Sequence, residues 1–356
     1  EGQPVNKSII TCLVTILATI VPAASRADTV TYEMVTVGNA GNAADTTGYG
    51  AVNYEYGIGK YDVTISQYTT FLNAVDPGGT NPYSLYNSGM GTNLTIAGIS
   101  FTSGAASGSK YAVMSGSGNR PITYVSWFDA ARFANWMQNG QGSGSTETGA
   151  YTLVGGQTSG TAPAKNNGAT FWIPTENEWY KAAYYQPQAS GGPSDSYWAY
   201  ATQSDTAPGN TIGSAANQAN YYVGAYATGG GSYSSSKNYL TDVGAFTGSA
   251  SFYGTFDQSG LVYQWNDLNG SSGSSRGRRG GSWGNGNAFI LSSSYPFTSD
   301  PSDESDIIGF RLAGLSSSPV PEIDPAGMGS VLALVSGALA LLERRRKAAL
   351  VPARSG

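Results

Sequence analysis

The chain has 356 residues, which is enough for one large domain or two ordinary ones, with a single cysteine, Cys12, and no histidine. This composition excludes an internal disulfide, a Ser-His-Asp triad, a histidine-bound zinc and a two-histidine iron site. Residues 28–318 carry 11 Lys and Arg against 19 Asp and Glu. Because an acidic body with few cations is a poor partner for a phosphate backbone, we expect no nucleic-acid binding.

The first predicted element is a secretory signal peptide at residues 1–27. Lys7 precedes an apolar run at residues 9–24, and Ser25-Arg26-Ala27 follows as a small-residue cleavage site. A membrane anchor is the alternative, but the run falls short of the roughly 20 residues that cross a bilayer. Cleavage removes Cys12, so the mature chain is expected to have no thiolate nucleophile.

Three amphipathic helices stand out from a body, residues 28–314, that otherwise has the pattern of short strands and turns. Each begins with a hydroxyl side chain that is followed three residues later by an amide or an acid, which is the pattern of a capping box. Apolar residues follow at helical spacing. The cap pairs are Thr64 with Gln67, Ser126 with Asp129, and Thr175 with Glu178.

Long Gly- and Ser-rich stretches separate these helices, at residues 81–118, 140–168 and 229–236. Stretches of that length in a compact body are usually functional or mobile loops. We find no fixed-period repeat and no sharp boundary, so the body is expected to be one domain.

Two pairs of acidic residues are candidates for acid-base chemistry. For Glu176 and Glu178 we favour a structural role, because residues two apart on a helix point to different faces and Glu178 belongs to the cap. Asp257 and Asp267 would suit glycoside hydrolysis only at carboxyl separations of roughly 5 to 9.5 Å, which sequence spacing does not establish.

The C-terminal tail has three ordered parts. A linker at residues 315–325 contains VPEIDP, an apolar run begins at residue 326, and the basic cluster ERRRK ends at residue 347, followed by a tail at 348–356. We predict a transmembrane helix with a basic stop at residues 326–347. The whole pattern resembles the PEP-CTERM sorting signal of Gram-negative bacteria, although Ile323 stands where that signal has proline.

This resemblance implies several properties of the mature protein, with a plain membrane anchor as the alternative. It implies secretion across the inner membrane and processing by an exosortase-type enzyme, with contact with the membrane during export. The protein would then be displayed in the cell envelope or at the cell surface.

Six motifs between residues 53 and 313 resemble, in order, those of the formylglycine-generating enzyme family, also called sulfatase-modifying factors. They are IGKYDVT at 58–64, PITYVSW at 121–127, IPTENEW at 173–179, GLVYQW at 260–265, RGGSW at 279–283 and GFRLA at 309–313. The resemblance implies an α+β fold related to C-type lectins, with much irregular structure. Trp127, Trp179 and Trp265 are expected in the core, and Arg311 is expected to pair inside the fold or with backbone carbonyls.

The resemblance also implies a site, which this sequence alters. Family enzymes hold copper with two cysteines just past the Gly-Gly-Ser motif, and Asn285 and Ile290 occupy those places here. Neither side chain binds copper(I) as a thiolate does, so we expect no copper and no obligatory cofactor.

Calcium is the metal that the resemblance leaves open. One family site is expected to be lost, because Leu261 and Gln264 replace its Asn and Glu. The other keeps an Asn, Asn220, as a tentative calcium ligand, while Gly244 replaces the carboxylate.

The sequence therefore predicts a non-catalytic binding module for a surface glycan or exopolysaccharide. The candidate contacts are Trp283, Asn285, Asn287 and Tyr295. Two alternatives remain: an enzyme with an atypical site, including a formylglycine-generating-type oxidase, and a structural matrix protein. An anion site at Arg276, Arg278 and Arg279 is less favoured than solvation or local pairing of these cations.

Overall fold

A computed structural model describes residues 29–316. The predicted signal peptide, the transmembrane helix at 326–347, the tail at 348–356 and most of the linker at 315–325 lie outside this range. No helix between residues 29 and 316 is long and apolar enough to cross a membrane.

The three predicted helices are confirmed, and each begins at its predicted capping box, with both hydrogen bonds of the box formed. They are α1 (Ile65–Val75), α3 (Trp127–Gln138) and α4 (Glu176–Tyr184), and a single turn, α2 (Gly89–Thr92), precedes α3. In a capping box two orphan backbone N–H groups are bonded by side chains three residues apart. The helix starts were therefore predictable from local sequence.

Within residues 29–316, ten short strands form three sheets, which confirms the mixed α and β content with much irregular chain. The strands are β1 (Met34–Val37), β2 (Tyr56–Gly59), β3 (Ile99–Phe101), β4 (Tyr111–Val113), β5 (Phe171–Trp172), β6 (Tyr263–Asn266), β7 (Arg276–Arg279), β8 (Phe297–Ser299), β9 (Ile308–Gly309) and β10 (Ala313–Gly314). The first sheet has the order β1-β2-β10-β5 and is antiparallel throughout. The second is the hairpin β3-β4, and the third has the order β8-β7-β6-β9, with β6 and β9 parallel.

The Gly- and Ser-rich stretch at residues 81–118 is more ordered than its composition indicates. It contains α2 and the β3–β4 hairpin, in which Ile99 and Tyr111 are buried. Asn73 on α1 donates to the carbonyl of Tyr111 at 2.8 Å and accepts from its N–H at 3.1 Å. A few buried side chains and one bridging amide thus fix a segment that local composition assigns to a loop.

Aromatic rings from α1 and α3 form the centre of the main core. Phe71 lies 5.3 Å from Phe133 and 5.4 Å from Trp136, between ring centroids, in edge-to-face arrangements. The indole N–H groups of Trp127 and Trp265 bond to Asp267 at 2.7 Å and to the Val125 carbonyl at 3.0 Å. Trp127, Trp179 and Trp265 are all fully buried, as expected from the motifs.

Arg311 joins the first sheet to the third. Its guanidinium is fully buried and donates to the carbonyls of Gly59 at 2.9 Å and Phe256 at 2.6 Å, and to Oε1 of Gln264 at 2.7 Å. Asp62 supplies the counter-charge at 3.5 Å. The expected pairing of Arg311 inside the fold is confirmed.

Candidate functional site

Two of the three arginines of strand β7 are buried and form ion pairs. Arg276 is buried, pairs with Asp267 at 3.1 Å and donates to the carbonyls of Ala162 and Pro163 at 3.1 and 2.9 Å. Arg279 is buried, pairs with Glu176 and donates to the Ser293 carbonyl at 2.7 Å. Two of the three cations are thus neutralised locally, which disfavours an anion site built from all three.

Glu176 and Glu178 also have separate partners, as their helical spacing predicts. Glu176 pairs with Arg279, whereas Glu178 completes the α4 cap and accepts from the Tyr54 hydroxyl at 2.8 Å and the Trp172 indole at 3.1 Å. Both carboxylates hold the fold together, and the two do not share a proton site.

Asp257 and Asp267 lie in separate hydrogen-bond networks. Asp257 accepts from the N–H of Gly244 at 2.7 Å, while the two oxygens of Asp267 accept from Trp127 and Tyr151, each at 2.7 Å. Burial raises the pKa of each carboxyl to about 6. The contacts of Asp267 stabilise the core, and no bond between the described residues links the two side chains as a catalytic pair.

Asn285 and Ile290, which the motif resemblance assigns to the copper positions of the family, offer no suitable ligand. Oδ1 of Asn285 accepts from the N–H and hydroxyl of Ser282 at 2.7 and 3.0 Å, so this amide closes a turn. Ile290 lies in a short 3-10 helix, Ala288–Leu291, and packs with Leu291. A hydrocarbon and a turn-closing amide do not fit copper(I), which prefers soft thiolates.

The residues at the two family calcium positions are engaged with protein groups. The amide oxygen of Gln264 accepts from Trp179 at 2.8 Å and from Arg311 at 2.7 Å. The side-chain NH₂ of Asn220 donates to the Tyr239 carbonyl at 3.0 Å and to the Thr241 hydroxyl at 3.2 Å. The Gln264 oxygen is thus occupied by protein donors and does not fit a calcium ligand, whereas the contacts of Asn220 use only its NH₂ group. Among residues 29–316, no group of three or more His, Cys, Asp or Glu side chains is placed to hold a metal ion.

The four candidate contacts lie in one segment but differ in accessibility. Trp283 is only 5% exposed and stacks on Tyr239, with centroids 4.8 Å apart and planes at 6°. Asn285 is half-buried, and Asn287 is exposed and caps the 3-10 helix through the N–H of Phe289. Tyr295 is half-buried. Trp283 therefore packs beneath the segment, whereas Asn285, Asn287 and Tyr295 are at least partly accessible at its surface.

An aromatic row formed by Phe289, Tyr295 and Phe297 crosses this segment. Tyr295 lies 5.7 Å from Phe289 and 6.4 Å from Phe297, between centroids, and its plane is within 19° of that of Phe297. Phe289 is 53% exposed and Phe297 is 39% exposed. The guanidinium of Arg278 lies 4.8 Å from the Phe297 ring, and its buried Nε has no hydrogen-bond partner among the described residues.

A second set of rings, absent from the sequence-based candidates, supports the other side of Asn285. The Asn285 carbonyl accepts from the N–H of Tyr222 at 2.9 Å. From Tyr222 the rings continue through Tyr226 to Tyr239, with centroid spacings of 4.8 and 4.2 Å. Tyr233, which is 59% exposed, stacks on Tyr239 at 5.8 Å. These tyrosines lie in and beside a Gly-rich stretch whose composition gave no sign of packing.

Solved structures to which the chain is similar at low sequence identity include the following three. Treponema denticola variable protein 1 is 20% identical, with a TM-score of 0.43 over 82% of this chain and 97% of that one. CarF is 19% identical, with a TM-score of 0.46 over 80% of this chain and 98% of that one. PvdO from Pseudomonas aeruginosa is 16% identical, with a TM-score of 0.39 over 80% of this chain and 92% of that one.

No curated protein sequence matches the chain. A family model does: that of the sulfatase-modifying factor enzyme 1-like domain, which covers residues 29–314. The match spans most of the chain and the whole described fold, so the protein belongs to the sulfatase-modifying factor family.

Proposed function

We propose that this protein is a non-catalytic glycan-binding member of its family, displayed at the surface of a Gram-negative cell, and that the aromatic row is its binding surface. The observation that carries the proposal is the exposure of Phe289 and Phe297 on either side of Tyr295. Exposed rings grouped on a folded surface mark interaction sites. The C–H face of a sugar ring packs on an aromatic face, while its hydroxyls bond to polar groups alongside.

Polar groups suited to hydroxyls surround the row. Asn287 is exposed and its Oδ1 is fixed by the N–H of Phe289 at 3.0 Å, which leaves its NH₂ directed away from that bond. Ser294 is exposed beside Tyr295. Arg278 supplies a cation next to Phe297, which favours a polymer that carries some acidic units.

The residues at the family's metal positions support binding without catalysis. Asn285 and Ile290 provide neither a thiolate nor a redox-active group, and the chain has no histidine that could bind a metal in their place. We propose that glycan binding requires neither copper nor calcium. Binding is then expected to be unchanged after treatment with EDTA, and a loss of affinity that calcium restores would contradict this part of the proposal.

Display at the surface is proposed from the two ends of the sequence. We propose export by the leader at residues 1–27, processing at the VPEIDP segment by an exosortase-type enzyme, and an exopolysaccharide of the producing cell as the ligand. Mass spectrometry of the mature protein tests the first step. An N-terminus at Asp28 is expected, and retention of Cys12 would contradict export by this leader.

Truncation of the row tests the binding surface. The double change Phe289→Ala with Phe297→Ala is expected to reduce binding to extracted matrix polymer at least tenfold, because the stacking surface is removed. Phe101→Ala is the matched control, since Phe101 is also 39% exposed but lies in the β3–β4 hairpin. Equal binding by the double variant and the control would contradict the proposal.

An oxygen-electrode assay separates binding from oxidase activity. With copper and a cysteine-containing peptide the protein is expected to consume no oxygen above a protein-free blank. Sustained, enzyme-dependent uptake would show that an atypical oxidase site exists.

A further inference from the structure

A cleft of about 580 Å³, lined by both polar and apolar residues, opens between three parts of the chain that are far apart in sequence. They are the connection between β1 and β2, the start of α4 and the turn after β6. Its size falls within the range of about 300 to 1,000 Å³ that is usual for small-molecule sites. We call it the amide cleft, because its polar lining consists of Asn42, Asn53, Tyr54, Thr175, Asn177 and Asn269.

None of the described residues that line the amide cleft is charged. A second cleft, of about 550 Å³, differs in this respect because Glu33, Asp62 and Asp242 line it. A neutral lining gives a phosphate or a carboxylate no counter-charge and gives an amine no acid. The amide cleft therefore suits a neutral ligand with many hydroxyl groups.

Two of the amides have a fixed orientation that leaves their NH₂ groups free. Oδ1 of Asn177 accepts from the N–H of Gly50 at 3.0 Å, and Oδ1 of Asn269 accepts from the N–H of Ser271 at 3.0 Å. A backbone N–H requires an acceptor, so the oxygen of each amide must face it. No bond among residues 29–316 uses either NH₂ group. Both are available as donors to a ligand.

The side chain of Tyr54 provides an anchored aromatic wall. Tyr54 is 45% exposed, and its hydroxyl donates to Glu178 at 2.8 Å. Glu178 is itself fixed, because it accepts from the N–H of Thr175 at 2.7 Å in the α4 cap. A ring that is held at its far end loses little conformational entropy when a ligand packs on its face.

We propose that the amide cleft is a second saccharide site, which takes a neutral unit of a sugar chain on the face of Tyr54 and bonds its hydroxyls to Asn177 and Asn269. The site needs nothing from the aromatic row, so it goes beyond the proposed function. A protein with two separate saccharide sites connects two polymer chains, or holds one chain with higher avidity than either site alone.

Calorimetric titration of the 356-residue chain with defined oligosaccharides tests the site. The probes are cellotetraose, laminaritetraose and mannotetraose, with tetragalacturonate as the charged comparison and a neutral hydrophilic tetrapeptide as the peptide comparison. Binding is expected for at least one neutral saccharide, and tetragalacturonate is expected to bind at least tenfold more weakly at this site. Preference for the peptide, or no binding of any neutral saccharide, would overturn the proposal.

Two conservative variants show whether that binding occurs in the amide cleft. Asn177→Asp and Asn269→Asp keep the oxygen that accepts from Gly50 or Ser271 and replace only the free NH₂ with an acceptor. Each is expected to reduce affinity for the neutral saccharide at least tenfold with no loss of stability in urea. Ser107→Asp, at an exposed position outside the lining, adds the same charge and is expected to leave affinity unchanged.

The aromatic-row double variant separates the two proposals. It is expected to retain tetrasaccharide binding in the amide cleft while it loses polymer binding at the row. Affinity that is insensitive to Asn177→Asp and Asn269→Asp would overturn the amide cleft as a site, whatever the result for the row.

Discussion

The ion pair between Glu176 and Arg279 connects the start of α4 to β7, and Arg279 also donates to the Ser293 carbonyl in the segment that carries the aromatic row. Arg279 is 1% exposed and lies between the rings of Tyr49 and Tyr180, each 4.9 Å from the guanidinium. Glu176→Gln keeps the shape and an acceptor oxygen but removes the counter-charge. Breaking a buried pair on one side costs about 3–5 kcal/mol, and we expect the lower end, about 3 kcal/mol, because the amide oxygen remains.

Glu33→Gln is the matched control, because Glu33 pairs with Lys60 at 2.8 Å on an exposed surface where its side chain is 57% exposed. Such a pair contributes at most about 1 kcal/mol. Urea unfolding of both variants measures the difference. A second variant, Glu176→Gln with Arg279→Met, removes the stranded charge and is expected to be at least as stable as Glu176→Gln alone. Equal, small losses for Glu176→Gln and Glu33→Gln would refute the reasoning.

Two further predictions concern stability. Burial raises the pKa of Asp129 to about 7 in the folded protein, whereas the same carboxyl in an unfolded chain has a pKa of about 3.9. Between about pH 4 and pH 7 the folded protein therefore keeps a proton that the unfolded chain has lost. The free energy of unfolding consequently falls as the pH rises through this range. Asp129→Asn is expected to reduce the dependence of the unfolding free energy on pH by the equivalent of up to one bound proton, measured by urea unfolding from pH 4 to 8. An unchanged pH dependence would contradict a raised pKa for Asp129. Gly260→Ala is expected to cost about 2 kcal/mol or more, since Gly260 has φ +83° and an added Cβ meets the Asn220 carbonyl. Gly254→Ala is the control, because Gly254 has φ +84° but the nearest atom to an added Cβ is 4.0 Å away, and it is expected to cost only about 1 kcal/mol. Equal urea midpoints for the two glycine variants would show that the contact with the Asn220 carbonyl does not destabilise Gly260→Ala.

Much of the fold was predictable where the interactions are local or carried by a motif. The capping boxes at Thr64, Ser126 and Thr175 join residues three apart, so the sequence contains both partners of each bond. Trp127, Trp179 and Trp265 are buried as expected, because a large ring with one N–H is stable in a core that supplies one acceptor.

The candidate site was only partly predictable. The sequence indicated the segment and named Tyr295, but gave no means of telling that Trp283 is buried while Phe289 is exposed. In strands and helices, a spacing of 2 or 3.6 residues shows which side chains face the core. Aromatic residues in irregular segments have no such spacing, so the sequence does not show whether they are exposed. The ring-to-ring contacts from Tyr222 to Tyr239 were missed for the same reason, since Gly-rich composition indicates a loop rather than a packed surface.

By itself the sequence determined which side chains are missing, because the lack of histidine and of a cysteine beyond residue 12 is a property of composition. It also determined the helix starts and the family motifs. Only the tertiary structure decided which charges are neutralised and which polar groups remain free. Arg276 and Arg279 meet their acids across separate elements, and the amide cleft draws its side chains from residues more than 100 positions apart. Such contacts depend on chain topology, which local patterns of residues do not contain.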